Sequence, residues 1–214
     1  MPYYLSTHPG VLIILVRHGA TALNNSAKPS VRGWRDDPLE PSSFADVRKT
    51  AREIRQYSPQ WVTSSDFMRD AQTKMIIADE LGIADTDVDY DSRTWDVGTF
   101  SGKPEAEVND AIQELYKRPW DTPPGSLESF NEFSARWQQF LDRKMQKAGI
   151  EGMRPGIIVT HGRNLALTDS YFNFKMPEDG LMPYPAGYGI LSVANDRSLQ
   201  YAYPGETECV CVDV

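Results

Sequence analysis

Three histidines stand in the 214-residue chain, and two of them share a setting. His18 closely follows the apolar run VLIILV (Val11–Val16), in LVRHG, and His161 directly follows GIIVT (Gly156–Thr160). Each is succeeded by a glycine, Gly19 and Gly162. Continuous β-branched runs of this kind read as strands buried on both faces. In open α/β sheets, ligands bind beyond the carboxyl ends of such strands, where a glycine lets the backbone turn and approach a ligand closely. A neutral imidazole is a competent nucleophile near neutral pH. Arginines lie beside both histidines: Arg17 precedes His18, Arg163 stands two after His161, and Arg69 opens a helix in SSDFMRDAQT. A guanidinium offers several donors in a fixed fork, which suits a tetrahedral oxyanion. Spacing alone leaves Arg69 either in such a pocket or as an exposed helix charge.

The elements that must position these groups alternate between strand and helix. After Val11–Val16 comes a polar loop rich in Pro and Gly, to about Ser42. Helical spacing then covers Phe44–Tyr57, Asp66–Leu81, Pro104–Tyr116, Ser126–Ala148 and Asn164–Phe174. Strands are expected at Trp61–Thr63, within the acidic stretch Asp85–Asp91, and at Gly156–Thr160, Gly187–Ala194, Leu199–Tyr203 and Glu208–Val214. This order predicts a three-layer α/β/α sandwich with a mostly parallel central sheet, built as a single domain over 1–214. No repeat, low-complexity segment or linker interrupts it.

Composition narrows the partners. A formal net charge of −8 repels nucleic acid and anionic membrane over most of the surface, so an anion must be met by a local basic pocket. The run Val11–Val16 is too short to span a bilayer. The first ten residues carry no Lys or Arg and do not read as a secretory signal, so a cytoplasmic protein is expected. Cys209 and Cys211 would share one face of a strand and read as small buried residues rather than a disulfide or a zinc site.

RHGATALN (Arg17–Asn24) resembles the signature of the histidine phosphatase superfamily, the phosphoglycerate-mutase-like proteins. Further segments follow in family order. GWRDDPL (Gly33–Leu39) is similar to the Gly-Trp-x-Asp-x-Pro-Leu loop, and SSDFMRDAQT (Ser64–Thr73) to the Ser-Ser-x-x-x-Arg-x-x-Gln-Thr helix start. GTFSG (Gly98–Gly102) resembles the Gly-x-Trp-x-Gly turn, ESFNEFSAR (Glu128–Arg136) the segment beginning Glu-Ser-Leu, and VTHG the second histidine motif. Ordered matches at family-like spacing are far more specific than one Arg-His-Gly. The resemblance implies that His18 becomes phosphohistidine and that Arg17, Arg69 and His161 clamp the phosphoryl oxygens. It also implies that Asn24 contacts the phosphate or holds His18. Gly33 and Gly162 fall within the matched motifs as substrate-binding positions. Thr21 is a helix-start residue or a phosphate contact, and Arg32 reaches a second substrate charge or is solvated. Glu128 and Ser129 read as a helix cap. Phosphoryl transfer needs positioning and positive charge, and no metal or other cofactor is expected.

One departure bears on the proton. Four residues before the Gly of the Gly-x-Trp-x-Gly turn the family usually places a Glu as donor to the leaving group; here Thr94 stands there, in SRTWDVG, with Asp96 two residues on. The donor is therefore absent, displaced to Asp96, or supplied from elsewhere. The segment between Gly102 and Gly125 is short, where the mutases carry a long insertion. The reading is a phosphatase acting on a phosphorylated small molecule or a phosphoprotein. The alternatives are a binding or regulatory module that has lost turnover, which Thr94 favours, and a phosphoglycerate-type mutase. Substrate identity and oligomeric state are not legible.

Overall fold

A computed structural model describes residues 10–24, 29–150, 154–173, 185–193 and 199–202. Six strands form one sheet in the order β3-β2-β4-β1-β5-β6. They are β1 (Gly10–Arg17), β2 (Trp61–Ser64), β3 (Asp85–Val88), β4 (Gly156–Thr160), β5 (Tyr188–Val193) and β6 (Leu199–Ala202). β1, β2, β3 and β4 run parallel, while β5 pairs antiparallel with both β1 and β6. The helices are α1 (Phe44–Ile54), α2 (Met68–Leu81), α3 (Glu105–Lys117), α4 (Phe130–Ile150) and α5 (Gly162–Asn173). Cys209, Cys211 and the strand expected over Glu208–Val214 lie outside the described residues.

Alternation along β1 explains the layers. Ile13 and Leu15 enter a core with Trp95, Phe133, Trp137 and Phe140, on the side of α3, α4 and α5. Ile14 and Val16 point the other way, into a core with Val47, Ala51 and Ile54 of α1 and Ile77 of α2. All four β1 residues are at most 1% exposed, so the strand is apolar on both faces because both faces are covered. β4 repeats the arrangement, with Ile158 on one side and Ile157 and Val159 on the other. At its start, Gly156 pairs with Trp61, and a Cβ at Gly156 would lie 2.0 Å from the indole ring. The expected three-layer sandwich with a mostly parallel sheet is the fold observed. No described helix is long and apolar enough to cross a membrane.

Element bounds differ from expectation where side chains take over from periodicity. The helix expected from Ser126 begins at Phe130, because Ser129 and Glu132 close a capping box: Ser129 N–H donates to Glu132 at 2.7 Å and Glu132 N–H to Ser129 Oγ at 3.2 Å. Glu128 instead receives Arg136 on both carboxylate oxygens, at 2.7 and 3.0 Å. α5 starts at Gly162 rather than Asn164, so His161 sits at its N-terminal boundary and accepts the Leu165 N–H on its carbonyl at 3.1 Å.

Candidate active site

The carboxyl ends of β1 and β4 lie side by side, with Arg17 paired to Thr160. His18 therefore meets His161 across the sheet edge, ring centroids 5.4 Å apart. The His18 backbone is clamped: its N–H donates to Thr160 O at 2.9 Å, and its carbonyl accepts from Ala186 N–H at 3.2 Å. Gly19 N–H donates to Thr73 Oγ1 at 3.0 Å, and that hydroxyl donates in turn to Arg69 O at 2.7 Å. Thr73 thus ties the loop after β1 to α2. Gly19 is required for contact rather than for a turn, since a Cβ there would lie 2.8 Å from Val47 Cγ2.

His18 is 3% exposed, and its Nδ1 lies 2.8 Å from Gly19 O. A carbonyl only accepts, so Nδ1 carries the hydrogen and Nε2 keeps its lone pair. Burial, reinforced by His161, Arg69 and Arg32, holds the His18 imidazole well below the ordinary histidine pKa, although the bond to Gly19 works the other way. The ring is therefore neutral at neutral pH.

A cavity of about 120 Å³ opens on this ring. Its lining includes Arg17, His18, Arg32, Arg69, His161 and Arg163, so two imidazoles and four guanidinium groups surround one small space. Arg69 is 1% exposed; it donates to Arg35 O at 2.7 Å and stacks 4.6 Å over Phe67. Gly33 completes that wall with φ +51, a left-handed conformation that glycine adopts without strain. Burial lowers Arg17, and burial with Arg69 and Arg17 lowers Arg32 to about 10, which leaves it charged at neutral pH. Gly162 and Arg163 bring the N-terminus of α5 to the cavity, and its unpaired backbone N–H groups add partial positive charge.

The other expected contacts fall outside the lining. Asn24 Oδ1 accepts from Thr21 N–H at 2.9 Å and from Arg32 at 3.0 Å, and Arg32 also donates to Thr21 Oγ1 at 3.1 Å. Thr21 and Asn24 thus aim Arg32 rather than line the cavity. Asp96 lies in the neighbouring turn, where its Oδ1 accepts Gly98 N–H at 2.9 Å. Thr94, 8% exposed, lines the cavity. Three residues that sequence reasoning did not single out also belong here. Glu105, at the start of α3, is the only carboxylate among the described lining residues; it is brought there by the Ser30–Pro104 bridge and by its N–H bond to Pro29 O at 2.9 Å. Trp95 lies under Arg163, 5.3 Å from its guanidinium. Asp70, fully buried, has Oδ2 2.8 Å from His161 Nε2.

Among the described residues, only His18, Asp70 and His161 bring ligand atoms together at a spacing suited to a metal, within 4.8 Å of one another. Arg69 Nη2 lies 3.5 Å from His161 Nδ1, with Arg17 and Arg32 close by. That concentration of cations opposes a divalent metal and favours a multiply charged oxyanion.

Known proteins share the fold and, in sequence, the family. The mycobacterial glucosyl-3-phosphoglycerate phosphatase in complex with VO3 superposes with a TM-score of 0.73 at 21% identity, covering 91% of this chain and 97% of that one. YhfR of Bacillus stearothermophilus gives 0.73 at 20% identity, over 92% and 97% of the two chains. These share the fold. In sequence, the probable phosphoglycerate mutase GpmB of Enterobacter sp. (strain 638) is 32% identical over 155 residues, 70% of this chain and 69% of the relative. The 2,3-bisphosphoglycerate-dependent phosphoglycerate mutase of Methylocella silvestris is 26% identical over 162 residues, 72% and 77% of the respective chains. The pattern of histidine phosphatase superfamily branch 1 matches residues 13–194, from β1, which leads into His18, past α5, which follows His161. With that match over most of its length, the chain belongs to branch 1 of the histidine phosphatase superfamily.

Proposed function

We propose that the chain is a phosphatase working through a phosphohistidine on Nε2 of His18, without a metal. The observation that carries this is the 2.8 Å contact between His18 Nδ1 and Gly19 O: a carbonyl only accepts, so the hydrogen belongs on Nδ1 and Nε2 is left as an electron-pair donor in a cationic cavity. Nε2 attacks phosphorus, the bond from phosphorus to the leaving oxygen breaks, and its electron pair goes to that oxygen. Arg17, Arg69 and His161 hold the equatorial oxygens while charge spreads over them. Water then attacks phosphorus, the phosphorus–nitrogen bond breaks and its electron pair returns to Nε2; the proton that the water gives up to solvent balances the one the leaving oxygen takes from it.

Hydrolysis is favoured over a mutase reaction by the connection from α3 to α4, which spans only 118–129 and offers little chain to cover a retained intermediate. The cationic lining supports a phosphorylated small molecule or the phosphorylated side chain of a protein. Thr94 lines the cavity at the position where the family resemblance implies a carboxylic acid donor, and Asp96 is engaged with the backbone of its own turn. Substrates with good leaving groups are therefore favoured.

Acid-quenched turnover of a labelled aryl phosphate should trap a base-stable, acid-labile adduct on His18, with chelator present throughout. His18→Ala should lose both adduct and turnover. Full activity in His18→Ala, or a loss with chelator that a divalent ion restores, would refute the reading.

A further inference from the structure

Asp70 is a carboxylate with 0% exposure in the first turn of α2, and the reaction as written does not use it. Burying an ionised carboxylate costs several kcal/mol in a real protein unless a charge or several hydrogen bonds compensate. The compensation here is thin. Ser65 Oγ donates a short hydrogen bond to Oδ2, and Oδ1 receives no hydrogen bond. The neighbouring guanidinium of Arg69 is directed elsewhere, at Arg35 O and Gly33 O. Arg32 interacts with it through charge alone, and the titratable group in contact is His161, whose Nε2 lies 2.8 Å from Oδ2. The ring N–H is not aligned along that contact, so its value is electrostatic proximity more than a directed hydrogen bond.

The surroundings of His161 set up a balance. His18 faces it from the end of β1, Phe67 and Arg69 from the start of α2, and Arg32 from the loop before α1. Burial pushes the His161 pKa down and Asp70 pushes it up; Arg69 and Arg32 push it down again, and the sum is a lowered value. With the cavity empty, His161 is neutral around neutral pH. A phosphoryl dianion entering the cavity that His161 lines adds a second negative charge beside the imidazole, on top of that of Asp70. Two negative neighbours favour imidazolium.

We propose that Asp70 is a positioning residue that makes phosphate capture proton-coupled: as an oxyanion binds, His161 takes a proton from solvent and is held as imidazolium by the oxyanion and Asp70 together. This rests on the reading of the cavity as a phosphoryl site. It also assigns a use to a charge that would otherwise repel the ligand. On departure of the oxyanion the proton leaves His161, and product release is eased by loss of that contact.

The probe is tungstate, a tetrahedral oxyanion that stays dianionic around neutrality. Calorimetric titration in buffers of different ionisation enthalpy reads the protons taken up on binding. The unmodified protein should take up a substantial fraction of one proton and bind more tightly as pH falls. Asp70→Asn keeps the shape and an acceptor for Ser65, yet should take up little proton and bind about tenfold more weakly at mildly acidic pH, the equivalent of one pKa unit. Its affinity should change little with pH. His161→Gln should likewise remove proton uptake with Asp70 in place, and so serves if Asp70→Asn does not fold. A merely structural Asp70 predicts the reverse sign: removing a buried negative charge would tighten tungstate binding at every pH. That outcome, or proton uptake unchanged in both variants, would overturn the proposal while leaving the phosphoryl site intact. Failure of the unmodified protein to bind tungstate at all would overturn both.

Discussion

Thr94→Glu should convert a steep dependence on leaving group into a shallow one. Thr94 is 8% exposed and lines the cavity, so a longer side chain there reaches the same space as His18. A positioned general acid contributes roughly 10²–10⁴-fold to such a step, or about 2.7–5.4 kcal/mol. The site argues for less. A new carboxyl would share the cavity with Arg17, Arg32, Arg69 and Arg163, and a nearby cation lowers a carboxyl pKa by about 1–3 units. Each unit removes about tenfold from the protonated fraction at neutral pH, so a mid-range gain of about 10³ less a mid-range loss of about 10² leaves roughly tenfold. The gain belongs to alkyl phosphates, whose leaving oxygen needs the proton; aryl and acyl phosphates should gain almost nothing. The assay is the single-turnover rate of His18 phosphorylation over a series of leaving groups, so that later steps do not mask the slope. Asp96→Asn should leave the slope unchanged, because its Oδ1 serves Gly98 N–H. Glu105→Gln belongs in the same series, since it removes the only carboxylate among the described lining residues. A shallow slope in the unmodified protein, steepened by Asp96→Asn or by Glu105→Gln, would refute the reasoning and assign the donor to that residue.

Arg69→Ala should weaken competitive inhibition by vanadate by about 1.5–3 kcal/mol, the scale of a hydrogen bond to a charged group, and unchanged inhibition would remove Arg69 from the pocket. Stability should fall on acidification through the histidines. His18 and His161 both have folded pKa values below the ordinary 6.5, so the unfolded chain binds more protons and stability is lost as pH drops below about 6.5 toward the folded values. Urea melts of the protein and of His18→Asn should show the smaller acid loss in the variant; equal losses would count against a buried neutral His18.

The parts legible in the sequence were those with local causes. VLIILV and GIIVT announced the two central strands because both of their faces are covered, and the residues just beyond them therefore marked the site. β3 was barely visible, since all four of its residues are exposed and its acidic side chains are matched by a different element: Lys144 meets Asp87 at 3.2 Å, and Lys147 meets Asp85 at 3.4 Å. Asn24 is expected at the phosphate or at His18, whereas its partners are Thr21 and Arg32, a contact that depends on the fold of the intervening loop. Asp70 carried no signal at all. Helical spacing placed it beside Arg69, yet its significance comes from His161, on a strand end formed much later in the chain. Glu105 gives no sign in the sequence, because the Ser30–Pro104 bridge and its N–H bond to Pro29 O bring it to the cavity.

The clamp on His18 has a consequence for the order in which the chain is made. The first strand is flanked by β4 and β5, both of which are encoded in the last third of the described chain. Ala186 N–H and Thr160 O, the two partners of the His18 backbone, emerge from the ribosome correspondingly late. Until then a strand of continuous Ile, Leu and Val has both edges open, the condition under which nascent chains pair wrongly or aggregate. α1 and α2 can cover one face early, but neither supplies an edge. Synthesis of this chain should therefore load chaperones until β5 is out, and the His18 backbone is held at both its N–H and its carbonyl only in the closing stage of assembly.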